Sequence, residues 1–127
     1  MLLLLDTHAF LSWNADDSAL GEIARDAIAE GNNIVFVSAA TAWEIATKRK
    51  SGKLDAPGDI AEWIQKNGFT DLAIDVEHAI LSAELPRHHR DPFDRLLVAQ
   101  ASIEGLTLVT SDAEIVKYDV QTLDAGN

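Results

Sequence analysis

Cysteine is absent from the 127 residues. This excludes disulfides and thiolate metal centres, and it suits a reducing cytosol. Long apolar runs are absent too: no stretch approaches the roughly 20 residues of a membrane-spanning helix. The opening Met1-Leu2-Leu3-Leu4-Leu5-Asp6 lacks a basic flank and meets a charge too early for a secretory signal. No internal repeat, low-complexity tract or linker interrupts the chain. Positive charge is scarce, with ten Lys and Arg against 21 Asp and Glu, for a net charge of −11. What remains is ordinary for a globular protein: 47% hydrophobic and 24% charged. The expectation is one soluble cytoplasmic domain over residues 1–127, long enough to bury a core.

The scarce bases are not scattered. Lys48, Arg49, Lys50 and Lys53 form one window, and Arg87, Arg90 and Arg95 with His88 and His89 form another. Phosphate contacts dominate affinity for nucleic acid, so two cationic windows on an acidic chain are where such contacts are expected. The first window also reads as the dipole-matched last turn of a helix ending at Gly52, and the two readings are compatible.

Periodicity predicts alternating strands and helices. Strands are expected at 2–6, 33–37, 69–74, 106–110 and near 119–123. Helices are expected at 7–14, 18–30 (capped by Ser18), 39–51 (capped by Ser38), 58–67, from Val76 to about Ala83, and from Pro92 to about Glu104. A further helical turn is expected at 112–116. In Asp91-Pro92-Phe93-Asp94, Asp91 has the N-cap position and Pro92 the first helical one. Such alternation implies a three-layer α/β/α sandwich with a mostly parallel central sheet. Ligands then bind beyond the carboxyl ends of the strands.

Four carboxylates belong at or near that edge. Asp6 closes the first strand, Asp112 follows the 106–110 strand, Asp94 lies in the first turn of a helix, and Glu44 sits within the apolar stretch Ala39–Ala46. Each Asp has an ordinary structural reading, as a cap or as an acid matched to a helix dipole. Glu44 does not, because a buried unpaired charge costs several kcal/mol. It needs a cation or a basic partner. Four converging carboxylates make a site for a hard divalent cation, and a site expected to have no histidine or cysteine ligand is poorly suited to zinc. Such a cation neutralises charge on a phosphodiester and lowers the pKa of a bound water, so hydrolysis would leave a 5′-phosphate and a 3′-hydroxyl. His8, next to Asp6, is the histidine expected nearest the site; His88 and His89 are expected in the basic loop.

The segments Leu5-Asp6-Thr7-His8, Trp43-Glu44-Ile45-Ala46, Asp91-Pro92-Phe93-Asp94-Arg95-Leu96-Leu97-Val98-Ala99-Gln100-Ala101 and Leu108-Val109-Thr110-Ser111-Asp112 resemble those of the PIN-domain ribonucleases, in particular the VapC toxins of toxin–antitoxin pairs. The resemblance spans nearly the whole chain. It implies a metal-dependent endoribonuclease with Asp6, Glu44, Asp94 and Asp112 holding Mg²⁺ or Mn²⁺. It also implies Asp91 as an outer ligand and Thr7 and Ser111 as groups orienting the acids. An RNA substrate, contacted by the two basic windows, a cognate antitoxin and a homodimer are likewise implied. For the antitoxin, an apolar groove around Phe10, Trp13 and Leu20 is expected, with a basic side chain reaching the acids. The tryptophans Trp13, Trp43 and Trp63 are expected in the core, though each is compatible with an interface.

Two rivals are weighed. A receiver-like phospho-acceptor module has a similar length and layout, but it needs paired acids after the first strand and a late lysine. Here Asp6 is followed by Thr7-His8, and no lysine follows the 106–110 strand before Lys117. The other rival is a catalytically silent PIN scaffold, against which retention of all four acids argues.

Overall fold

The computed structural model describes residues 1–56 and 58–127. Its strands are β1 (Leu2–Leu5), β2 (Ile34–Ser38), β3 (Thr70–Leu72), β4 (Thr107–Thr110) and β5 (Thr122–Asp124). Among the described residues they form one sheet in the order β3-β2-β1-β4-β5, every pairing parallel. Leu3 pairs with Val35 and Thr107, and Leu5 with Val109, so β1 is hydrogen-bonded along both sides. That position explains its unbroken run of leucines, because a central strand under two helical layers buries both faces.

The two faces carry separate cores. Leu3, Leu5, Val35, Val37 and Val109 pack with Phe10, Leu20, Ala24, Ile28 and Ile64 on one side. Leu4 and Leu108, with Phe36, pack with Leu96, Leu97, Ala101, Ile115 and Tyr118 on the other. The three-layer α/β/α sandwich is therefore present. The helices are α1 (Thr7–Asn14), α2 (Glu22–Ala29), α3 (Ala39–Lys50), α4 (Ile60–Lys66), α5 (Val76–Glu84) and α6 (Pro92–Glu104), with a 3₁₀ turn at Ile115–Lys117. The strand order differs from the 2-1-3-4-5 order of receiver-like folds.

Three expectations are corrected. Helix α2 begins at Glu22 with Gly21 as N-cap, rather than at Ser18. Residues 17–20 form a turn closed by Asp17, whose carbonyl accepts from Leu20 N–H and from Arg25. Phe10 and Leu20 lie wholly in the core, so they cannot line an open groove. An apolar concavity of about 820 Å³ lies elsewhere, lined by Ala42 and Ala46 of α3, Ile60 and Ile64 of α4, and Leu72. Finally, Trp43 does not lie in the core: it is 56% exposed on α3, while Glu44 and Ile45 beside it are buried.

Candidate metal centre

The strand order reverses between β1 and β4, where one connection leaves toward β2 and the other toward β5. At such a switch point the loops after the two strands part and leave a crevice. Asp6 follows β1 there, and Thr110 to Asp112 follow β4. Both acids use one oxygen to anchor backbone. Asp6 Oδ1 accepts from Ala9 N–H at 2.7 Å and caps α1. Asp112 Oδ1 accepts from Glu114 N–H at 2.8 Å and closes the turn that precedes the 3₁₀ segment. The Thr110 hydroxyl lies between them, accepting from Asp112 N–H at 3.0 Å and bonded to the Asp6 carboxylate.

Helices α3 and α6 bring the other two acids. Ser38 caps α3 through its hydroxyl, which accepts from Ala40 N–H. One and a half turns further on, Glu44 is 3% exposed. Its Oε1 accepts from the Thr7 hydroxyl at 2.6 Å, and its Oε2 pairs with Lys48 Nζ. Lys48 thus supplies the basic partner that a buried Glu44 requires. Asp91 caps α6 by accepting from Phe93 and Asp94 N–H, with Pro92 in the first turn. This sets Asp94 facing the crevice, its side chain 18% exposed.

One residue stands where sequence reasoning did not place it. His89 Nε2 is 3.0 Å from Asp94 Oδ2 and 2.9 Å from Asp112 Oδ2, bridging the two acids. Its Nδ1 accepts from Asp91 N–H at 3.0 Å, which fixes the ring. The local signal was its place two residues before the N-cap Asp91, from which a side chain folds back over the first turn. Thr110, not the exposed Ser111, is the hydroxyl against the acids. His8 is exposed beside Asp6.

The electrostatics are those of crowded negative charge. Burial, and then the charge of Asp91, push the Asp94 carboxyl up to about 7; His89 opposes, and Glu44 and Asp6 add to the rise. Burial also raises Asp6, against the Thr110 and Ala9 hydrogen bonds that favour its ionised form. For Asp112 burial is outweighed by the bonds from His89 and Glu114 N–H, and its carboxyl lies below the usual range. Burial disfavours a charged His89, but the Asp112 bond and the charges of Asp94, Asp112 and Asp91 prevail and raise it. Lys48 is raised chiefly by its bond to Glu44. The charges of Asp91, Glu44 and Asp6 all act on Asp94, and that of Asp112 on Asp6, so these acids lie within electrostatic range of one another.

The donors fit a hard divalent cation. They are carboxylate oxygens whose mutual repulsion is only partly offset by Lys48 and His89. His89, Asp94 and Asp112 each present a ligand atom, all within 4.8 Å of one another. Among the described residues, a second group of this kind joins Asp75, His78 and Glu104. There, His78 is held as a buried capping residue, its Nδ1 accepting from Asp75 N–H.

The sequence profile of the PIN domain matches residues 3–121. The chain belongs to the PIN-domain family. It is 28% identical over 116 residues to ribonuclease VapC22 of Mycobacterium tuberculosis, covering 89% of this chain and 88% of that protein. Its fold matches that of DNA-bound VapBC from Salmonella typhimurium at a TM-score of 0.66, with 21% identity and 98% of each chain covered. It matches VapBC2 from Rickettsia felis, bound to a promoter DNA fragment, at 0.67, with 14% identity and 97% and 98% covered.

In this PIN-domain chain the two basic windows divide by structure. Arg49 donates to the Ala56 and Gly58 carbonyls at 2.6 Å each and lies over the Trp63 ring. Arg95 binds the carbonyls of Ser82, Leu85, Pro86 and His89 and the Tyr118 hydroxyl, pinning the loop before α6. Both guanidinium groups are thus engaged within the chain, and Lys48 is engaged with Glu44. Lys50, Lys53, Arg87 and Arg90 are carried at the surface. Arg87 and Arg90 line a concavity with His89, Pro92 and Arg95, next to the acids.

Proposed function

We propose that this chain is a Mg²⁺- or Mn²⁺-dependent endoribonuclease of the VapC type, the toxin of a toxin–antitoxin pair. The observation that carries the reading is the convergence of Asp6, Glu44, Asp94 and Asp112 at the β1/β4 switch point of a PIN fold. The named relative is a ribonuclease, and the structural neighbours are complexes of toxin with antitoxin. Asp6, Glu44, Asp94 and Asp112 would hold the cation, with Asp91 as an outer ligand. When bound, it would activate a water and neutralise charge on the phosphodiester. Thr7 and Thr110 hold Glu44 and Asp6 in place, and ligands oriented from behind in this way bind more tightly. A bound cation would compete with His89 and Lys48 for oxygens of Asp94, Asp112 and Glu44. The exposed Lys50, Lys53, Arg87 and Arg90 would follow the RNA backbone.

In this reading the partner antitoxin inhibits by placing a basic side chain among the acids. The ammonium of Lys48 and the Nε2 of His89 both contact these acids, which supports a site that takes nitrogen donors. A homodimer in the cytoplasm completes the proposal; among the described residues, no helix is long and apolar enough to cross a membrane. The test is cleavage of single-stranded RNA with Mg²⁺ or with EDTA, by the wild type and by Asp6→Asn, Glu44→Gln, Asp94→Asn and Asp112→Asn. Metal-dependent cleavage leaving a 5′-phosphate, lost in all four folded variants, is expected. Full activity in Asp94→Asn would overturn the assignment, and metal-independent silence of the wild type would leave a binding scaffold as the better account.

A further inference from the structure

Two aromatic residues precede two of the acids: Trp43 comes before Glu44 and Phe93 before Asp94. Their rings meet across the α3–α6 junction, centroids 4.8 Å apart and planes at 79°. Each ring is thus carried on the same helix as an acid, by the residue directly before it. In an edge-on pair only one ring offers its face, so Phe93 leaves at least one face of the indole open. Trp43 is 56% exposed and Phe93 half-buried. Trp13 and Trp63, by contrast, pack against the core of the opposite layer.

We propose that Trp43, propped by Phe93, is a stacking platform for one unpaired base of the RNA beside the scissile phosphate. The proposal rests on the ribonuclease reading and adds how the substrate is held. Size and charge select this occupant. Among the described residues, Trp43 is the only large apolar side chain exposed on α3, and the other on α6, Ile103, lies ten residues beyond Phe93. An open surface of one or two rings matches a nucleobase and falls far short of the roughly 800 Å² each partner buries in a stable protein interface. The exposed Arg87 and Arg90 lie in the loop before α6, Lys50 ends α3 and Lys53 follows it. A chain of phosphates would therefore meet positive charge at the start of one ring-bearing helix and at the end of the other. A π-face recognises any base, but only one free of a duplex.

The test measures binding of fluorescein-labelled 12-mer oligo(U) and oligo(A), single-stranded and annealed to each other, in an Asp94→Asn background that prevents cleavage. Because Trp43 is exposed, Trp43→Ala, Trp43→Leu and Trp43→Phe should all fold. Trp43→Ala should weaken single-strand binding by about 5- to 100-fold. Trp43→Leu, which keeps bulk but no π-face, should be as weak, while Trp43→Phe restores part of the loss. With native Asp94, Trp43→Ala should raise KM more than it lowers kcat. Wild-type affinity in Trp43→Ala or Trp43→Leu, while the wild type cleaves RNA, would overturn the platform and leave the nuclease reading standing. A Trp43→Ala loss that appears only as a change of oligomeric state in sedimentation would reassign the rings to a face between copies. Failure of the wild type to cleave or bind any RNA would overturn both.

Discussion

Replacing Asp94 by asparagine should stabilise this protein while abolishing its chemistry, and the size of the gain can be worked from the site. In the folded chain, burial and the charge of Asp91 lift the Asp94 carboxyl from 3.8 to about 7. At about 1.4 kcal/mol per pH unit, this corresponds to about 4 kcal/mol against the ionised form. The side chain keeps 18% of its surface in water, and screening brings the expected gain down to about 2–3 kcal/mol. The sign follows from linkage. A carboxyl whose folded pKa is raised contributes stability that is complete below pH 3.8 and lost as the pH rises to about 7. Asparagine stays neutral throughout, so the gap between variant and wild type should be near zero at pH 4 and fully open at pH 8.

Urea denaturation in EDTA at pH 4, 5, 6, 7 and 8 reads this gap. In thermal melts it should reach roughly 5–10 °C at pH 8. His89 titrates over a neighbouring range, and its raised pKa also makes stability fall as the pH rises. Repeating the comparison in a His89→Gln background isolates Asp94. An asparagine variant less stable than the wild type at pH 8, or a gap that ignores pH, would refute the crowded-carboxylate account.

Mg²⁺ or Mn²⁺ should raise the melting temperature of the wild type in a concentration-dependent way, and much less that of Asp6→Asn or Asp94→Asn; calorimetry checks the same difference as affinity. Thr110→Val keeps shape but removes the hydroxyl between Asp6 and Asp112 N–H, and it should cost about 10- to 100-fold in metal affinity. Arg95→Met strands carbonyls at Ser82 and Leu85 and should destabilise by about 2–4 kcal/mol in urea, even in the metal-free protein. Replacing Lys50, Lys53, Arg87 and Arg90 by glutamine should flatten the salt dependence of RNA binding by roughly one unit of slope per lost phosphate contact; an unchanged slope would remove these bases from the RNA path.

The fold was largely legible because both signals that define it are local. Unbroken apolar strands marked a sheet covered on both faces, and capping residues marked where α1, α3 and α6 begin. The start of α2 was not legible. Ser18 and Gly21 are both competent caps, and the choice is made by Arg25 reaching back to the Asp17 and Leu20 carbonyls. Arg49 and Arg95 misled for a related reason: a sequence counts charges, but only the fold shows that these two are spent on backbone carbonyls.

At Asp6 and Asp112, the ordinary structural reading and the proposed functional one are compatible. A carboxylate has two oxygens, and Asp6 and Asp112 each use Oδ1 to hold a backbone N–H, Asp6 as the cap of α1 and Asp112 in the turn before the 3₁₀ segment. Asp112 directs Oδ2 to His89, and Glu44 divides its two oxygens between Thr7 and Lys48. The bond at Oδ1 fixes where the second oxygen lies, so in the proposed site the structural role would preorganise the chemical one. The rigidity that a metal site requires would therefore be built from the same hydrogen bonds that hold the backbone there. It follows that the bonds at Asp6 and Asp112 cannot be removed without moving the site. Asparagine, which preserves a capping oxygen while removing charge, is the substitution that tells the two roles apart.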